Sequence, residues 1–251
     1  MRPNPLILGG TTEATALCKA LDAAGLEGTL SLAGRVARPI RQPLARRIGG
    51  FGGAKGLARY ITEHKITHLI DATHPFAAQM SLNATQASKA ANIPLIALTR
   101  APWRANAGDN WITVRDIASA VSALDGPAER IMLAVGRMHL QEFAPNPQHF
   151  YLLRLVDAPA AALPFADYAV VTDRGPFTVD GDLELMRTHE ITRVVSKNSG
   201  GTGAQAKLLA ARKLRLPVVM IDRPAMPPRH EVFDVAAVLE WLGHDSTERG
   251  V

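Results

Sequence analysis

The sequence predicts an α/β protein made of two doubly wound parallel-sheet domains with a cleft between them. Three observations carry this. Apolar runs of strand length alternate with runs of helical period, as in parallel sheets covered by helices on both faces. The alternation breaks once, around Arg100–Asn110, and then restarts. At two places a strand runs through glycines into a helix start, the arrangement that receives a nucleotide phosphate. The break divides the 251 residues into an N-terminal domain, 1–101, and a C-terminal domain, 102–251.

The first strand, Pro5–Leu8, is followed by Gly9 and Gly10 and then by a helical run with Ala14, Leu17, Cys18 and Leu21 on one face. The first N–H groups of such a helix have no internal partner, and its dipole is positive there. Gly9 and Gly10 let a phosphate approach the backbone, and Thr11 or Thr12 can cap the helix or donate a hydroxyl to phosphate. The pattern departs from the G-x-G-x-x-G fingerprint. Thr29–Ala33 reads as the second strand. Its end carries Ser31 and Arg35 where an NAD site would carry an acid, which favours NADP(H): Arg35 neutralises the extra phosphate and Ser31 donates to it.

Arg38, Arg41, Arg46 and Arg47 follow among Pro39 and Pro43, and the prolines predict an irregular loop. The glycine-dense 48–53 opens a helix over 54–63. Thr67–Ala72 is a strand that exits through Thr73-His74-Pro75-Phe76. Ligands of open α/β sheets bind at such exits, so His74 either orients a ligand or supplies a proton, or else caps its own turn. A helix over 77–91 and a strand over 93–99 complete the domain.

In the second block, strands are expected at 111–114, 131–135, 151–155, 168–172, 193–196 and 217–221, with helices at 117–124, 183–189 and 205–214. Asp234 caps a last helix ending at Trp241-Leu242. The loop from Lys197 to Gly203 (K-N-S-G-G-T-G) joins a strand to a helix and forms a second cradle for an anion or polar ligand. Its lysine precedes the glycines, so it is not a phosphate-binding Walker loop. Arg137 and Arg174 also leave strand ends, where a guanidinium can fork onto a substrate carboxylate.

Composition excludes several classes. Hydrophobic residues make up 47% of the chain, enough for a large core. A single cysteine, Cys18, excludes a disulfide framework and a cysteine zinc site and fits the reducing cytoplasm. No metal motif, secretory h-region or membrane-length apolar run is present. The net charge of +5 suits a polyanion, either nucleic acid or a small polycarboxylate, and 5% aromatics without basic interleaving argue against a stacking platform for single-stranded nucleic acid.

Together, L-G-G-T-T-E-A from Leu8, A-G-R from Ala33, the 49–53 glycines, D-A-T-H-P-F-A from Asp71, the Lys197–Gly203 loop and P-V-V-M-I-D-R-P from Pro217 resemble the precorrin-6A reductase family of cobalamin biosynthesis. The matches run nearly the whole chain in order. The resemblance implies two Rossmann-like domains and NADPH-dependent reduction of a macrocyclic double bond, with hydride to a ring carbon and a proton to its neighbour. It implies cofactor contacts at Gly9, Gly10, Thr11, Thr12 and Arg35, and a place near the reacting centre for His74, Lys197 and Ser199. Gly200, Gly201, Arg137 and Arg174 are the substrate-side candidates. The implied partner is a tetrapyrrole polycarboxylate, with transient contact to neighbouring pathway enzymes and no membrane. Two alternatives compete: a nucleotide-sugar-dependent transferase of similar build, and a non-catalytic NADP-sensing module.

Overall fold

A computed structural model describes residues 2–34, 41–159, 161–173 and 175–248, with side chains through 243. In the first half, β1 (Pro5–Leu8), β2 (Thr29–Leu32), β3 (Ala45–Ile48), β4 (His68–Asp71) and β5 (Leu95–Leu98) accompany α1 (Thr12–Ala23), α2 (Gly53–Glu63) and α3 (Ala78–Ala91). Next come β6 (Asn110–Val114), α4 (Ile117–Ser122), β7 (Arg130–Ala134) and a 3-10 helix, Arg137–Phe143. β8 (Phe150–Leu155), β9 (Asp167–Thr172), α5 (Val179–Thr188), β10 (Arg193–Lys197), α6 (Ala206–Leu214) and β11 (Pro217–Ile221) follow. The chain returns through β12 (Glu231–Val232) and α7 (Val235–Glu248). Asp234 caps α7, its Oδ1 accepting from Ala237 N at 2.8 Å.

The described strands form two six-stranded parallel sheets, ordered β12-β5-β4-β1-β2-β3 and β6-β11-β10-β7-β8-β9. Each repeats the 3-2-1-4-5-6 order of a dinucleotide-binding fold. In each, however, the sixth place is filled by a strand from elsewhere in the chain. β6, which follows β5 in sequence, pairs with β11 (Val218↔Trp111). β12, which follows β11, pairs with β5 (Glu231↔Ala97).

The chain accordingly divides into two compact units, Met1–Ala101 with Ala225–Val251, and Pro102–Pro224. This corrects the expectation of a C-terminal domain running from 102 to 251. Residues from Ala225 onward belong to the first unit, because β12 closes its sheet and α7 buries Val238 and Leu242 against Ile7, Leu17 and Ile96. The opposite face of that sheet presents Leu6, Leu8 and Leu69 to Leu57 and Ile61 of α2 and to Ala84 and Ala87 of α3. Helices on both faces explain why β1 and β4 are buried along their whole length, and why β1 and the Leu69-Ile70 centre of β4 are apolar. In the second unit, Met132, Leu152, Val194 and Val218 pack with Leu183 and Met186 of α5 and Leu208 of α6.

A second difference concerns β3. The sequence predicts an irregular loop there, yet Ala45–Ile48 pairs with β2 over four residues. Its side chains are mostly exposed, so no hydrophobic run marks it, and the pairing comes from the edge of β2.

Candidate active site

In the first unit the strand order reverses between β1 and β4, and the loops leaving those strands lie together. Thr11 ties them: its Oγ1 accepts from Ala14 N at 3.1 Å and donates to Ala72 O at 2.8 Å. That hydroxyl is therefore the helix cap and not a phosphate donor. The exposed Thr12 hydroxyl donates to Glu13 Oε2, and Glu13 pairs with Arg100 at 3.0 Å. The backbone N–H groups of Gly10, Thr11, Thr12 and Glu13 meet no acceptor among the described residues. A Cβ on Gly9 would come within 2.5 Å of Leu30, so this glycine permits close strand–helix packing. Gly10, at φ +119°, opens onto free space where a ligand can approach.

The β4 exit is organised by Asp71, 3% exposed. Its carboxylate accepts from Thr73 N (3.1 Å), Thr73 Oγ1 (2.6 Å), Ser81 Oγ (2.5 Å) and an Arg229 NH group (2.7 Å). Beyond it, the His74 ring receives Phe76 N–H on Nδ1 at 3.2 Å, so the neutral ring carries its proton on Nε2. In the sequence Asp71 stands out only as the first residue of the D-A-T-H-P-F-A block. Nothing in the sequence marks Arg229, which lies 158 residues away.

At the end of β2, Ser31 is buried and its Oγ accepts from Arg47 at 2.8 Å. Arg35 and Arg174, two of the arginines singled out from the sequence, lie outside the described residues. Arg137 is exposed on the first residue of the 3-10 helix after β7.

In the second unit the order reverses between β7 and β10. The Lys197–Gly203 loop leaves β10, so in topology it is the counterpart of the His74 loop and not of the Gly9–Thr12 turn. Its carbonyls are held from behind: Arg223 donates to Asn198 O (2.9 Å) and Ser199 O (3.1 Å), and Trp103 Nε1 donates to Gly201 O (2.8 Å). Asn198 and Trp103 exchange two further bonds, Trp103 N to Oδ1 at 2.8 Å and Nδ2 to Trp103 O at 3.0 Å. Gly200 and Gly201, at φ +69° and +73°, turn the chain so that the N–H groups of Gly200, Gly201, Thr202 and Gly203 meet no acceptor among the described residues. Such a row of N–H groups makes an anion-binding concavity. Ser199 is buried, and Lys197 ends β10 half-buried. The roles of Trp103 and Arg223 escape the sequence because only the fold brings them to the loop.

Among the described residues, no group of three or more His, Cys, Asp or Glu is placed to hold a metal, and no helix is long and apolar enough to cross a membrane. A family model described as precorrin-6x reductase CbiJ/CobK matches residues 5–243. The precorrin-6A reductase of Rhodobacter capsulatus is 54% identical over 247 residues, 98% of each chain. That of Rhodococcus erythropolis is 46% identical over 241 residues, covering 95% of this chain and 96% of its own. A solved structure titled CobK precorrin-6A reductase superposes with a TM-score of 0.92 at 53% identity over 96% of both chains.

Proposed function

The chain belongs to the precorrin-6x reductase family, and on that premise we propose that it reduces precorrin-6A to precorrin-6B in cobalamin biosynthesis, in the cytoplasm, with NADPH as the reductant. The observation that carries the cofactor half is the β1–α1 turn, where four N–H groups that meet no acceptor among the described residues flank a glycine with open space beside it. A dinucleotide pyrophosphate fits that cradle in charge and in space. Gly10, Thr11, Thr12 and Glu13 would hold it through their backbone, and Ser31 with Arg35 would receive the adenosine end. NADPH, when bound, supplies a hydride to a ring carbon of the macrocycle.

What the chain itself does is bind, orient and deliver a proton. The N–H groups of Gly200 to Gly203 offer a seat for a substrate carboxylate, with Lys197 adding positive charge and Ser199 a hydroxyl. Arg137 and Arg174 are further carboxylate partners on the substrate side. His74 accepts Phe76 N–H on Nδ1, so in the neutral ring the proton sits on Nε2, and that is the proton His74 would deliver to the carbon beside the one reduced.

The test is single-turnover oxidation of NADPH by the full chain, with and without precorrin-6A, the product identified by a gain of two hydrogens. Oxidation that depends on the macrocycle supports the reading. NADPH bound but never oxidised would leave the sensing module as the better account. Tight binding of a nucleotide sugar with no response to NADPH would favour the transferase.

A further inference from the structure

The geometry points to Arg47 as the residue that grips the phosphate on the adenosine ribose of NADPH and so sets the choice against NADH. This rests on the reading of the first unit as the NADPH-binding one. Arg47 lies on β3 directly beside Ser31 of β2, in parallel register. One of its terminal nitrogens donates to Ser31 Oγ (2.8 Å) and Gly49 O (2.9 Å), and the other donates to Gly50 O (3.1 Å). Its guanidinium carbon lies 3.8 Å from the centre of the Phe51 ring and 5.2 Å from that of Tyr60. Three hydrogen bonds and a stacked ring fix the fork in one orientation.

Two features show that this fork is not spent on the fold. A guanidinium has five N–H donors. Three are used, and the Nε–H and one terminal N–H meet no acceptor among the described residues. Its charge is also unbalanced. Arg100, Arg154, Arg193, Arg212 and Arg229 each face a carboxylate, those of Glu13, Asp182, Glu129, Asp109 and Asp71. No described carboxylate pairs with Arg47. A held, half-buried cation with spare donors takes an anion, and a planar fork suits phosphate.

Position names the anion. Gly9 N donates to Ser31 O at 2.9 Å, so the residue that Arg47 grips is bonded directly to the glycine turn. In dinucleotide-binding folds the adenosine ribose lies at the end of this second strand, and a basic residue there accommodates the 2′-phosphate. Arg47 reaches that place from the neighbouring strand.

The test titrates adenosine 2′,5′-bisphosphate and adenosine 5′-monophosphate into the full chain by calorimetry, with NADPH and NADH alongside. The unaltered protein should bind the bisphosphate more tightly. Arg47→Met keeps the aliphatic stem and removes the fork. It should weaken the bisphosphate on the order of 10–100-fold and the monophosphate by less than about threefold, the ratio expected from losing one charge-assisted contact. Arg47→Lys should recover part of the loss, and is read in its place if Arg47→Met does not fold. Equal losses for both ligands would overturn the proposal and reduce Arg47 to a tether of the Gly49–Gly50 turn. An unaltered protein that binds NADPH and NADH equally would remove the phosphate subsite while sparing the cofactor cradle. One that binds no nucleotide would remove the cofactor reading itself.

Discussion

Lys207 sits 4% exposed beneath the second glycine loop, with its Nζ donating to Ala204 O at 2.6 Å and lying 5.0 Å from the Trp103 ring centre. Burial, then the charge of Arg154, pull its pKa down to about 7 against a partial opposing pull from Asp182. In the unfolded chain a lysine holds its proton to about pH 10.4. Between about pH 7 and 10 the unfolded state therefore binds one more proton than the folded state, and this residue makes stability rise with pH. Below about pH 7 both states are protonated and its contribution is flat and at its least favourable. Urea denaturation from pH 6 upward should show that rise in the unaltered protein and a flatter profile in Lys207→Met; identical slopes would contradict the assignment. Asp71 makes a second case. Asp71→Asn removes the buried carboxylate that accepts from Arg229, Thr73 and Ser81; Arg229 keeps Glu231 at 2.9 Å, so the loss is that of a charge-assisted hydrogen bond and should be about 1.5–3 kcal/mol in equilibrium unfolding. In sequence, Lys207 reads as an ordinary helix lysine, because what buries it is a loop whose path the local pattern does not encode.

At the scale of elements, the apolar strands and their crossover helices were legible, because strands buried on both faces must be apolar throughout and helices must keep a stripe. β3, β12 and the 3-10 helix were not. β3 spends its four residues mostly in solvent, and β12 is two residues whose strand character exists only against β5. The α2 entry shows how tightly an element can be specified. A Cβ on Gly56 would stand 1.7 Å from Phe51 O, so the turn that carries Phe51 folds back onto the helix only over a glycine. Gly56→Ala should destabilise the protein by at least the 1–3 kcal/mol typical of overpacking, roughly 5 °C or more in Tm. Because Phe51 carries the ring under Arg47, the same variant should weaken NADPH binding. A Tm within about 1 °C of the unaltered protein would show that the turn relaxes freely.

At the scale of the whole molecule, the exchange of β6 and β12 makes the first unit depend on both ends of the chain. A fragment of residues 1–101 lacks the sixth strand of its sheet and loses Val238 and Leu242 from its core. Two fully buried aliphatic side chains are worth about 1.5–3 kcal/mol each, set against a usual domain stability of about 5–15 kcal/mol. The fragment alone should therefore show a broad, low-temperature transition by circular dichroism. Adding a peptide of residues 225–248 should sharpen it and raise its midpoint. A fragment as stable as the first unit of the intact chain would mean that the exchanged segment adds nothing.

By itself the sequence determined the fold class, both glycine-rich turns, the strand exits and the family, because each is written in local pattern: period, glycine placement and short motifs. The tertiary structure decided what depends on residues far apart in the chain. It gave residues 225–248 to the first sheet, since an open β5 edge needs a partner whatever its position in sequence. It set Arg229 on Asp71 and Trp103 on the second loop, and it turned Arg47 from one arginine in a basic run into a held fork beside Ser31. Periodicity reports which face of an element is buried, but long-range polar pairing follows from topology, and a strand exchanged between sheets leaves no periodic trace.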